Sequence, residues 1–163
     1  MGRIRLATLE DYEVYYKIKC GYSDIYWNGF EKAPDKGGLK KSFETRLKNT
    51  PDVLGSKVLF MIESQEYEPC GYIMFTYNEH DVELGFSILK SYQGHGYGTM
   101  AVAEALKLLH GQLVFARIRP DNLPSQRCFE KNGFQFSYQE TETRFYPLDG
   151  SYHCYNRFEY DNR

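Results

Sequence analysis

The chain has 163 residues, 20 Lys and Arg against 22 Asp and Glu, and a formal charge of −2. That length suits one domain with a single substantial core, and the absence of a basic surplus argues against general nucleic-acid binding. The four cysteines, Cys20, Cys70, Cys128 and Cys154, are scattered without a C-x-x-C pair or a histidine cluster. Neither a metal site nor a disulfide framework is expected, and a reducing cytoplasm is the expected compartment. No signal peptide and no membrane span is read, because the longest uninterrupted apolar run is Val58 to Ile62.

In chain order, Arg3 to Leu6 alternates as a short strand, and Thr8 with Asp11 resembles a capping box that opens a helix running to about Lys19 and stopping at Gly21. Tyr22 to Phe30 is aromatic without helical period and reads as a loop. Leu39, Phe43 and Leu47 recur at helical spacing, predicting a second helix that ends before Pro51. Val58 to Glu63 and Gly71 to Tyr77 are apolar strands, and Asn78 to Asp81 turns the chain into the next one.

The organising stretch is Glu83 to Thr99: a strand through Ile88, then glycines at 94, 96 and 98, then a helix from Met100 to Leu109. In that helix Ala101, Ala105 and Leu108 form one apolar row, with Val102, Leu106 and Leu109 beside it. Glycines there permit a tight turn and keep Cβ atoms out of a ligand's way. The unpaired N–H groups and the dipole of the helix start make a place for phosphate or pyrophosphate. A Walker A loop requires a Gly-Lys pair at its end, and here Gly98 precedes Thr99 without lysine. A dinucleotide fingerprint requires G-x-G-x-x-G and a downstream acid, where this chain has G-x-G-x-G and Arg117 to Arg119. Both nucleotide readings fail.

Leu113 to Ile118 is a further strand, joined to the preceding one by a crossover helix and hence parallel to it. Pro124 to Asn132 reads as a helix closed by Gly133 as a left-handed cap. Phe134 to Tyr138 and Tyr152 to Tyr160 read as the last strands, with Pro147 to Gly150 between them.

Gln93-Gly94-His95-Gly96-Tyr97-Gly98 resembles the Q/R-x-x-G-x-G/A signature of the GNAT family of N-acetyltransferases. Asn122-Leu-Pro-Ser125, in a helix ending at Gly133-Phe134, resembles that family's second motif, and the element order agrees. Ser125, and Glu83 just before Leu-Gly-Phe, are most similar to the RimJ/RimL-type branch of ribosomal-protein N-acetyltransferases. The resemblance implies a single α/β domain with a mixed, largely antiparallel sheet of about seven strands and about four helices. It implies acetyl-CoA as cosubstrate, no metal, and a small-molecule or peptide amine as acceptor; whether the chain forms a homodimer stays open.

By the same resemblance, Gln93 to Thr99, including His95 and Tyr97, hold the pyrophosphate, and Asn122 bonds the cofactor region. Backbone groups of Phe86, Ser87 and Ile88 pair with the pantetheine arm, and one N–H faces the thioester oxygen. Glu83 is either a general base acting through water or a charge paired with an arginine. Ser125 is either a surface residue of the helix or a general acid at the coenzyme A sulfur. Many family members carry a tyrosine acid at the position of Phe129, which has no proton to give. Tyr26, Trp27, Phe30 and Tyr146 are candidate acceptor linings. The chemistry implied is amine acetylation by direct attack in a ternary complex; the alternative is a non-catalytic acetyl-CoA-binding regulator.

Overall fold

A computed structural model describes residues 2–163, with the backbone alone at 139 and 140. Seven strands form one sheet in the order β1-β2-β3-β4-β5-β7-β6, where β1 is Arg3–Leu6, β2 Lys57–Glu63, β3 Pro69–Tyr77, β4 Val82–Ile88, β5 Leu113–Ile118, β6 Gln135–Tyr146 and β7 Ser151–Asp161. Only β4 and β5 are parallel, as the crossover helix between them requires; every other pairing is antiparallel. Five α-helices accompany the sheet: α1 Tyr12–Lys19, α2 Tyr22–Trp27, α3 Lys36–Leu47, α4 Tyr97–Leu108 and α5 Leu123–Glu130.

Strand alternation sends side chains to two cores. Ile73, Phe75, Leu84, Val114 and Ala116 pack with Ala101, Val102, Ala105 and Phe129 of α4 and α5. On the opposite face Leu59, Met61 and Tyr72 pack with Tyr12, Tyr15 and Ile18 of α1 and Phe43 of α3. Tyr15 and Phe43 are wholly buried and 5.1 Å apart between ring centroids, so they pin α1 and α3 to the sheet. Truncating Phe43 to alanine would cost about 3–5 kcal/mol.

Charge holds the edge strand. Arg3 and Arg5 donate to the two oxygens of buried Glu63 at 2.6 and 2.8 Å, and Arg5 also grips buried Asp11. Burial works against ionising Glu63 and Asp11, but the guanidinium contacts outweigh it and hold both below the usual carboxylate range. Asp11 also accepts the Thr8 N–H at 2.8 Å, in the capping box that the sequence spacing suggests. The chain there makes a 3-10 turn over Leu9–Asp11 before α1 begins.

Four expectations change. Tyr22 to Phe30 is not a loop but contains α2, a helix too short to show a period; it opens at Gly21 and is closed by Asn28 and left-handed Gly29. Helix α4 starts at Tyr97, so Gly98 and Thr99 belong to its first turn. Leu108 is 58% exposed and Leu109, just past the end of the helix, takes the core position instead. Strand β6 runs on to Tyr146, past Tyr138 at φ 60°; its register shifts break the alternation that a sequence window needs. Among the described residues no helix is long and apolar enough to cross a membrane.

Candidate active site

The site begins where two parallel strands part. β4 and β5 are paired only at Val82 with Val114 and Glu83 with Phe115; beyond that they diverge. Leu84 to Ile88 on one side and Ala116 to Arg119 on the other line a cavity of about 750 Å³. Its inner edge is backbone. The Leu89 N–H bonds to the Cys70 carbonyl on β3, so by antiparallel alternation Ser87 faces β3 while Phe86 and Ile88 turn their polar groups to the open wedge. Gly85 is exposed there, with open space where a Cβ would stand.

At the end of the wedge the glycine loop delivers α4. Gly96 caps it in the left-handed region (φ 85°), and the first helical bond is Met100 N–H to the Gly96 carbonyl. The N–H groups of Tyr97, Gly98 and Thr99 therefore have no helical acceptor, and these residues line the cavity with Gln93, Gly94 and Gly96. Gly98 is required for another reason than clearing a ligand: a Cβ there would lie 2.8 Å from the Phe86 ring and 3.1 Å from the Cys128 sulfur. The Tyr97 ring is core, its hydroxyl accepting the Gln65 N–H at 3.3 Å. His95 is exposed, stands 3.2 Å from the Tyr92 carbonyl and is not on the cavity wall. Gln93 turns its amide to the Ile88 carbonyl at 2.9 Å, tying strand end to loop.

Helix α5 forms the adjoining wall. Asn122 caps it, its side-chain oxygen accepting the Ser125 N–H at 3.4 Å. Ser125 lines the cavity, and its hydroxyl has no hydrogen-bond partner among the described residues. Phe129 is buried against Phe86 and Phe134. Arg127 and Lys131, one turn apart and both exposed, put two cations on the same wall. Asn132 donates to the Thr99 and Cys128 carbonyls at 3.1 and 2.8 Å, locking α5 to the first turn of α4. The spacing of 124, 127, 128 and 131 along one helix face could have shown Arg127 and Lys131 as wall residues from sequence.

The opposite end of the cavity is built from side chains. Glu83 is gripped in two-pronged fashion by Arg117, at 2.6 and 3.2 Å. Burial works against the Arg117 charge, yet the Glu83 bond and the carboxylates around it hold the guanidinium above its ordinary value. Asp24, on α2 and 3% exposed, takes the Lys19 ammonium and the Tyr72 hydroxyl at 2.8 Å each. Burial and the Asp24 charge push the Tyr72 phenol well above its ordinary value, so it stays a donor. Trp27 and Phe30 line the cavity. Tyr26 and Tyr146 do not. Tyr146 is 1% exposed and its hydroxyl donates to the Trp27 carbonyl at 3.0 Å, while the Tyr26 hydroxyl bonds Arg119 and Asp149. Both rings stand behind the wall because they enclose Arg119, whose guanidinium carbon lies 5.0, 4.7 and 4.6 Å from the centroids of Tyr26, Trp27 and Tyr146. No sequence signal near Glu83 named Arg117, Asp24 or Tyr72, which come from separate segments.

Comparison with known proteins agrees with this geometry. The family model described as an acetyltransferase (GNAT) domain matches residues 3–135. No curated protein matches the chain. Among solved structures, a spermidine N-acetyltransferase from Vibrio cholerae in complex with CoA and spermine superposes with a TM-score of 0.82 at 14% identity, over 98% of this chain and 94% of that one. A GNAT-family acetyltransferase from Bacillus anthracis gives 0.75 at 20% identity, over 99% of each. An aminoglycoside acetyltransferase in complex with coenzyme A gives 0.69 at 21%, over 96% and 94%. With a parted β4–β5 pair opening onto a glycine-capped helix, and a family match spanning most of its length, this chain belongs to the GNAT acetyltransferase family.

Proposed function

We propose that the protein transfers the acetyl group of acetyl-CoA to a primary amine, with both substrates held at once. The observation that carries this is the wedge between β4 and β5, which runs straight onto the free N–H groups at the start of α4. The pyrophosphate lies on the N–H groups of Tyr97, Gly98 and Thr99, helped by the helix dipole and by Arg127 and Lys131. Gln93 joins it by a rotation of its exposed side chain, at the cost of one bond to Ile88, about 1 kcal/mol. The pantetheine arm runs along β4 as an added strand, paired with the outward groups of Phe86 and Ile88 and continued toward Asn122.

That seats the thioester where the strands part, beside Glu83 and Ser125. The amine arrives from the side of Trp27 and Phe30 and attacks the carbonyl carbon. One wedge-facing N–H of β4 stabilises the oxyanion, and holding both reactants together supplies much of the acceleration. Glu83, positioned by Arg117, takes the ammonium proton through a water. The coenzyme A thiol leaves with a pKa near 8.5 and needs little help; the free hydroxyl of Ser125 gives it a proton. Resemblance to the RimJ/RimL-type branch adds protein N-termini to small amines as acceptors.

One observation favours a second reading: Phe129 fills the position of the family's tyrosine acid, as it would in an acetyl-CoA-binding regulator that does no chemistry. Release of free thiol from acetyl-CoA with a panel of amines separates the two. Acetyl-CoA binding without thiol release on any amine would establish the regulator.

A further inference from the structure

Charge at the acceptor end of the cavity is unevenly spent. Each carboxylate that lines it is already held by cations: Asp24 by Lys19 at 2.8 Å, Glu83 by Arg117 at 2.6 Å, and Glu142 by Arg117 and Arg144 at 3.0 and 3.1 Å. The reverse does not hold. Lys57 lines the cavity and has no ion pair or hydrogen bond from its ammonium among the described residues. Arg46 lines it too and, among the described residues, bonds only the Tyr15 hydroxyl, at 3.0 Å, with no carboxylate. Arg119 is not a third such cation: Asp121 holds its Nε and Nη2, and only its buried Nη1 has no hydrogen-bond partner among the described residues.

We propose, resting on the acetyl-transfer reading above, that the acceptor is a small amine that also carries a carboxylate: an amino acid or an analogue of one. A polycation such as a polyamine would have to share carboxylates that cations already hold, while adding its charge to Lys57 and Arg46. A carboxylate meets Lys57 and Arg46 without displacing anything, and charge-assisted bonds to them orient the amine. The sheet sets the reach. Lys57 on β2, Thr76 on β3 and Glu83 on β4 stand side by side in register on one face. Two inter-strand steps separate the Lys57 and Glu83 backbones by about 10 Å. A span of that order admits one small molecule between the two side chains.

The test pairs free amino acids with their amides, adds spermidine and an amidated tripeptide, and follows thiol release from acetyl-CoA. The best free amino acid should exceed its own amide at least tenfold in kcat/KM, the worth of one charge-assisted contact. Spermidine should be the poorest. Lys57→Gln, a change at an exposed residue, should raise KM for the amino acid about tenfold, leave kcat alone and leave the amide unaffected; Arg46→Gln should act in the same direction. An amide, spermidine or the tripeptide used as well as any free amino acid would overturn the proposal while leaving acetyl transfer intact. Calorimetric titration of the CoA-saturated protein gives the complementary result. Tighter binding of the amino acid than of its amide, without thiol release, would overturn acetyl transfer and uphold the charge assignment. Neither binding nor reaction with any free amino acid would overturn the charge assignment itself.

Discussion

The two ends of the cavity are made of different material. The end proposed for the cofactor is backbone: outward-facing groups of Phe86 and Ile88, and the first N–H groups of α4 behind Gly96. The end proposed for the acceptor is side chain: Glu83 in the grip of Arg117, Asp24 between Lys19 and Tyr72, and cations at Lys57 and Arg46. A backbone site recognises a group common to every family member's donor and tolerates change in neighbouring side chains. A site of long charged side chains can be rebuilt by single substitutions, so the same fold serves different amines. On the proposed reading, binding of the donor and choice of the acceptor are separable, and substitutions at one end should leave the other alone.

The hardest way to break the cofactor end is Gly96→Val. Left-handed backbone at φ 85° is costly for any side chain and worse for a branched one, so the start of α4 must shift. Acetyl-CoA affinity measured by calorimetry should fall by at least about a hundredfold, the equivalent of two good hydrogen bonds. Circular dichroism should still report a folded protein, since the strain of about 1–2 kcal/mol is small beside a domain's stability. Unchanged affinity in the folded variant would remove the helix start from the donor site.

Glu83→Gln tests the boundary between the two ends. Turnover should fall about 10²-fold, the usual scale of general-base help, with acetyl-CoA affinity unchanged. The loss should shrink as pH rises, because more of the acceptor amine is then neutral without a base. Superimposable pH–rate profiles would leave Glu83 a structural partner of Arg117 and nothing more.

A smaller effect should sharpen the contrast. Arg127→Gln and Lys131→Gln each remove one exposed cation from the donor wall, and each should weaken acetyl-CoA by about three- to tenfold, most at low salt. KM for the acceptor should not move. If it does, the two ends are coupled through α5. The smallest expected change is Ser125→Ala, a loss of turnover under about tenfold, because the thiol is a tolerable leaving group and water can replace the hydroxyl. A loss beyond about a thousandfold at constant cofactor affinity would exceed what one acid–base group supplies and make Ser125 central.

The amino-acid sequence by itself determined the succession of strands along the chain, the glycine-capped helix start and the second motif at Asn122. These are local: the unbroken apolar run Val58–Ile62, glycines where the chain turns left-handed, and an Asn side chain bonding an N–H three residues on are written in consecutive residues. It missed α2, because six residues hold too few turns for a period to show, and it shortened β6, whose irregular register hides alternation. Only the tertiary structure decided that Glu83 meets Arg117, that Tyr26 and Tyr146 enclose Arg119 instead of lining the cavity, and that Lys57 and Arg46 are left without carboxylates. Each of these joins segments far apart in the chain, and ion pairing depends on which side chains the folded sheet brings within a few ångströms, a distance no spacing along the sequence encodes.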